Sequence, residues 1–118
     1  MDRKLTITIA GDSRQKARTL LASALNSGEY QGEYLDFVSP DLFFSKLSDK
    51  RWKLLNALQG TGELGVRELA RRVKRDVKRV HEDAAALVEL GLLEKTSRGS
   101  LLCPFADIHV DMHLRRAA

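Results

Sequence analysis

The sequence predicts an α+β fold, helical through its middle and with strands toward both ends. Three observations lead there. Residues 4–10 and 108–114 alternate apolar and polar side chains, the period of a strand with one buried face. Residues 39–90 instead space their apolar side chains three and four apart, interrupted by capping residues and glycines, as successive amphipathic helices do. Two short β-prone runs then flank Thr96-Ser97-Arg98-Gly99, a hairpin pattern with its turn at Arg98-Gly99.

In the first strand Leu5, Ile7 and Ile9 share the buried face, opposite Lys4, Thr6 and Thr8. Gly11-Asp12-Ser13 supplies a turn and an N-cap, and a helix is predicted over residues 14–25, burying Ala17, Leu20, Leu21, Ala24 and Leu25. Gly28 suits the left-handed position that ends it. After a polar connection, residues 34–38 read as a second strand. Ser39-Pro40 is an N-cap followed by proline at the first helical position, opening a helix with Leu42, Phe43, Phe44 and Leu47 on its apolar side. Ser48 caps the next helix, in which Trp52, Leu54, Leu55 and Leu58 point inward, and Gly60-Thr61-Gly62 stops it.

The following helix, residues 66–73, carries the stripe Val66, Leu69, Ala70 and Val73. Lys74-Arg75-Asp76 makes a short basic turn, and Asp76 caps a longer helix over residues 77–90 with Val77, Val80, Ala84, Leu87 and Val88 inward. Gly91 closes that helix, and residues 92–95 and 100–103 form the hairpin. Three helices followed by a hairpin make a winged helix-turn-helix: a three-helix core with a β-hairpin wing, here with an N-terminal strand–helix unit and a C-terminal strand. The predicted division is 1–38, a strand–helix–strand element for dimerisation or partner contact; 39–104, the winged helix; and 105–118, a strand and short tail.

Placement of charge points to the kind of partner. The chain has twenty Lys/Arg and sixteen Asp/Glu, yet residues 1–47 carry six of each, so the whole excess lies beyond them. Residues 67–79 hold seven basic residues against Glu68 and Asp76. A basic patch confined to one motif predicts a polyanionic partner better than diffuse charge would. Cys103 is the single cysteine, which excludes an intramolecular disulfide and suits a reducing compartment. No run approaches the roughly 18 apolar residues of a membrane span, and the N-terminus lacks the apolar core of a signal peptide. A cytoplasmic protein that does not enter a membrane is expected.

In helix-turn-helix docking the N-terminal half of the second helix meets base edges while the preceding helix crosses the backbone. That assigns base reading to Lys78, Arg79, His81 and Glu82, with Arg79 the best candidate for bidentate contact to guanine and Glu82 an acceptor for cytosine or an orienter of a neighbouring arginine. Arg71, Arg72, Lys74 and Arg75 suit phosphates, Lys95 the nearby backbone, and Arg98 at the wing tip an adjacent minor groove. The run VRELARRVKRDVKRVHEDAAALVELGLLEK is similar to the winged helix-turn-helix of MarR-like and ArsR-like transcriptional regulators. Val66 to Ala70 matches the family's hydrophobic-x-E-L-A opening, and Leu87 to Leu93 its closing L-x-x-L/K-G-L-hydrophobic pattern. The likeness spans residues 48–104 and implies the same four base-facing positions. It departs in two ways: the recognition helix is charged where the family favours Ser and Thr, and strands replace the long flanking dimerisation helices. With the ending PFADIHVDMHL, the whole chain resembles small prokaryotic winged-helix proteins, some of them antitoxin-like.

Other features weigh less. His109, Asp111 and His113 fall on one face of a strand, but metal sites draw ligands from several elements, and a solvated face is the plainer reading. Cys103 reads as a packing thiol. Trp52, Phe43 and Phe44, spaced helically among leucines, read as core rather than a ligand cage. Gly60-Thr61-Gly62 lacks the Gly-Lys-Ser/Thr of a phosphate loop. With no nucleophile–base set, credible carboxylate pair or cofactor fingerprint, neither an enzyme nor a cofactor is predicted. The expected function is sequence-specific binding of double-stranded DNA by a homodimeric repressor. The alternatives are an antitoxin that neutralises a partner toxin and autoregulates its operon, and a winged helix used purely for protein contact, against which the basic recognition helix argues.

Overall fold

The computed structural model describes residues 3–9 and 32–114. The elements are β1 (Arg3–Ile9), β2 (Glu33–Phe37), α1 (Pro40–Lys46), α2 (Asp49–Leu58), α3 (Val66–Val73), α4 (Val77–Leu90), β3 (Glu94–Lys95), β4 (Leu101–Leu102) and β5 (Phe105–Asp111). The chain is an α+β protein with parallel and antiparallel strand pairs. By contacts it divides into two compact units, Met1–Ser45 with Asp107–Ala118, and Lys46–Ala106. The N-terminal and C-terminal segments thus fall within one unit. Among the described residues, no helix is long and apolar enough to cross a membrane.

In the first unit the strand order is β2-β1-β5, so the N- and C-terminal strands pair within the chain. β1 and β2 run parallel, in register from Leu5 opposite Glu33 to Ile9 opposite Phe37. Parallel neighbours need a long connection, and residues 10–31 supply its length. The helix predicted over residues 14–25, with its capping turn and Gly28, lies outside the described residues. Leu5, Ile7 and Ile9 are buried as the alternation required. Thr8 is buried as well, against the expectation of one wet face, and its Oγ1 donates to Asp36 Oδ1 at 2.6 Å. Phe37 meets Phe43 of α1 edge to face, with centroids 5.4 Å apart. Ser39 caps α1 by accepting from Leu42 N–H at 3.2 Å. Phe43 is buried, but Leu42 and Phe44 are exposed, which corrects their assignment to the core. β5 begins and ends three residues earlier than the alternation suggested, because Phe105 is its buried anchor and His113 lies beyond its end.

In the second unit Ser48 caps α2, accepting from Arg51 N–H. Leu54, Leu55 and Leu58 of α2, Leu69 and Ala70 of α3, and Val80, Ala84 and Leu87 of α4 form the core, closed by Leu92, Leu93 and Leu101. Trp52 is 38% exposed, a second correction: it lies about 110° around the helix from the centre of the Leu54, Leu55 and Leu58 stripe, at its flank. Val77 is also exposed, since the first turn of α4 extends past the core. β3 and β4 pair antiparallel around the turn Thr96-Ser97-Arg98-Gly99. Leu64 joins them, exchanging two backbone hydrogen bonds with Leu101 (2.9 and 2.7 Å), a bridge that the sequence reading did not anticipate. Gln59, at the end of α2, donates through Nε2 to the Phe105 carbonyl at 3.3 Å and ties down the start of β5.

Candidate nucleic-acid interface

The turn between α3 and α4 is fixed by its backbone. Arg75 N–H donates to Ala70 C=O at 3.0 Å and Lys74 N–H to Arg71 C=O at 3.3 Å, the paired bonds of a Schellman motif. The same pair closes α4, where Gly91 N–H reaches Val88 and Leu92 N–H reaches Leu87. Both motifs need a left-handed residue. Gly91 supplies it at φ 86°, whereas Lys74 occupies it at φ 56°, ψ 50°. A side chain there costs about 1–2 kcal/mol. Position 74 therefore holds a cation where the backbone favours glycine.

Asp76 starts α4 by accepting from Arg79 N–H at 3.3 Å. With 3.6 residues per turn, buried Val80, Ala84 and Leu87 define the inner face, and Lys78 and Glu82 project on the opposite pole. Arg79 and His81 lie on the two flanks between. All four are exposed. The Arg79 flank shares a polar hollow of about 160 Å³ with Ser48, Lys50 and Arg75. The His81 flank turns toward the hairpin, where it neighbours Lys95. The four proposed base-facing residues thus spread over three sides of α4.

The predicted backbone contacts differ in availability. Arg75 is already engaged: its Nη2 donates to Asp83 Oδ2 at 2.7 Å, its side chain is only 18% exposed, and its Nη1 is buried without a partner among the described residues. Its charge serves the interior. Asp83 also accepts from Arg51 Nε at 3.0 Å, so one carboxylate on α4 joins α2 to the turn. Burial alone would push the Asp83 carboxyl up, but the hydrogen bonds and charges of Arg75 and Arg51 outweigh it and hold the carboxyl below its usual range. Sequence reasoning missed Arg51 and Asp83. The signal was there: Arg51 precedes Leu54, Leu55 and Leu58 by three, four and seven residues, a charge on an apolar stripe.

Arg71 stays exposed but is engaged by Glu68, with Nε 3.1 Å from Oε2. That hydrogen bond lowers the Glu68 carboxyl and raises the Arg71 guanidinium. Arg72 lies 4.0 Å from the same carboxylate. Arg98 at the hairpin tip is 84% exposed and 3.9 Å from Glu63. Lys74, Lys78, Arg79 and Lys95 form no ion pair with a described residue. Cys103 is buried, its thiol raised by desolvation and directed at the Phe105 carbonyl. Among the described residues no three His, Cys, Asp or Glu side chains gather as a metal site, and His113 instead faces Asp111 at 3.4 Å.

These features define a small α+β protein that presents a cationic turn, with Lys78 and Arg79 at the start of the helix that follows it, in the same unit as a two-stranded hairpin. The profile of the HVO_A0114 family matches residues 46–110, more than half of the chain, and the chain belongs to that family. Neither a curated protein nor a solved structure matches it.

Proposed function

We propose that the protein is a sequence-specific, double-stranded DNA-binding transcriptional regulator, a dimeric repressor whose second unit acts as a winged helix-turn-helix. The observation that carries this reading is Lys74. A lysine held in a glycine conformation, next to Lys78 and Arg79, which form no ion pair with a described residue, is explained when the charge itself is needed. In this reading the N-terminal half of α4 enters the major groove. Lys78 and Arg79 meet base edges, Glu82 orients or accepts, and Arg71, Arg72 and Lys74 hold phosphates. Lys95 and Arg98 bring the hairpin to the flanking backbone and minor groove. Arg75 supports the helix from within. Two copies would read half-sites about 34–36 Å apart.

Selection from fragmented genomic DNA at about 150 mM salt tests the reading, because non-specific electrostatic binding is weak there. Selective retention of a few fragments is expected. On those fragments Arg79→Ala loses about 1–3 kcal/mol and relaxes preference at one base position. Arg72→Ala weakens all sequences alike. Retention without selectivity, or equal losses on selected and random DNA for both variants, would refute base reading by α4.

A further inference from the structure

Among the described strands β5 has β1 as its only neighbour, so it forms one edge of the described sheet. An edge strand offers a row of backbone donors and acceptors to another chain, and folded proteins guard such edges with lysine, proline or a bulge. Residues 105–113, FADIHVDMH, contain no Lys, Arg, Pro or Gly. Acid and imidazole exchange places about Val110: Asp107 and His109 on one side match His113 and Asp111 on the other at equal distances. Because side chains alternate along a strand, these four share one face, and Ile108, Val110 and Met112 the other. His113 Nε2 lies 3.4 Å from Asp111 Oδ1, as neighbours on one face can. Ile108, Val110 and Met112 are only half-buried within the single chain.

We propose that β5 pairs antiparallel with β5 of a second copy of this chain, about a two-fold axis through Val110, and so joins two three-stranded sheets into one. Such an axis sets residues at equal distances from Val110 opposite each other. Asp107 then faces the partner's His113, and His109 the partner's Asp111, four acid–imidazole pairs in all. An imidazole N–H donates to a carboxylate whether or not the ring is charged. On the other face Val110 meets its own copy and Ile108 meets Met112, which covers the half-buried apolar side. The register is selective: moving the axis to His109 or Asp111 sets Asp against Asp and His against His. β5 ends at Asp111, so the pairing extends it by two residues. The other described edge, β2, offers no such complement, because its charges are Glu33 and Asp36, with no base. The pairing rests on the repressor reading only for its purpose, the two copies that read paired half-sites; the contact itself does not.

Sedimentation equilibrium of the full chain, without DNA, tests the pairing. At about 100 μM the mass of two chains is expected. His109→Asp opposes acid to acid and Asp111→His opposes imidazole to imidazole, so each should weaken self-association about tenfold or more. Mixed in equal amounts, the two variants are complementary at every position and should recover the wild-type dimer, which misfolded chains could not do. Asp107→His and His113→Asp, at exposed positions, form a second such pair and repeat the test should either of the first disturb the fold. The interface is overturned by a wild-type chain that is monomeric at that concentration, which would leave β5 to a different protein. It is overturned equally by single variants that dimerise as the wild type does, or by folded variants that stay monomeric when mixed. Selection from genomic DNA on the same protein separates this idea from the DNA reading. A dimer that retains no DNA refutes the DNA reading and leaves the interface standing. Selective retention by a chain that stays monomeric refutes the interface alone.

Discussion

Asp83 shows how a single residue sets the geometry of the cationic surface. Its carboxylate lies between Arg51 Nε and Arg75 Nη2, and all three side chains are less than a quarter exposed. Removing it strands two guanidinium groups in a site shielded from water. Asp83→Ala is expected to cost about 3 kcal/mol, read from the urea midpoint. The folded carboxyl titrates below its unfolded value, so its contribution is fully present above the ordinary aspartate range. It is lost as pH falls from the ordinary value of 3.8 through the lowered folded value. Wild-type stability should decline over that acid window, and Asp83→Ala should flatten this part of the decline. A variant with wild-type stability at neutral pH would show that the two ion pairs contribute nothing net.

Among the elements, the two Schellman closures form an internal comparison. α4 ends on Gly91 and α3 on Lys74, with equivalent hydrogen bonds. Lys74→Gly keeps the backbone and relieves the left-handed strain, offset in part by the freedom glycine gains in the unfolded chain. A gain of about 0.5–1 kcal/mol is expected, from a denaturant midpoint that rises at constant slope. If Lys74 holds a phosphate as proposed, DNA affinity should fall at the same time, by a similar factor on every sequence, because a phosphate contact carries no base information. A loss of stability would show that the lysine side chain makes a compensating contact.

At the scale of the whole molecule, charge follows the division into units. Residues 46–106 carry thirteen Lys/Arg against eight Asp/Glu, a net of +5, whereas the remaining residues carry seven and eight. The family match covers the whole of that stretch and runs four residues beyond it. In the proposed DNA reading, a field concentrated in this way makes binding strongly salt-dependent, with each neutralised phosphate adding about 0.9 to the slope of log affinity against log salt. Lys95→Gln should reduce that slope by about this amount per bound protomer. Arg75→Gln should leave it nearly unchanged while lowering stability, because Asp83 already neutralises Arg75. Equal slope changes in the two variants would contradict the internal role of Arg75.

Local signals in the sequence determined the order and type of the described elements. Ser39, Ser48 and Asp76 each cap the helix they precede, and Gly91 and the Thr96–Gly99 turn fall where their chemistry requires, since caps and turns depend on a few adjacent residues. Periodicity also found most of the core. It failed at Leu42, Phe44, Trp52 and Val77, because an apolar residue at a helix flank or end is buried only if a neighbouring element reaches it. Only the tertiary structure decided which charges remain available. Arg75 and Lys74 are adjacent and equally basic in the sequence; a carboxylate eight residues beyond Arg75 draws one inward, while a left-handed backbone holds the other outside the helix. Pairings at long separation depend on how elements pack, and spacing along one chain carries no record of that.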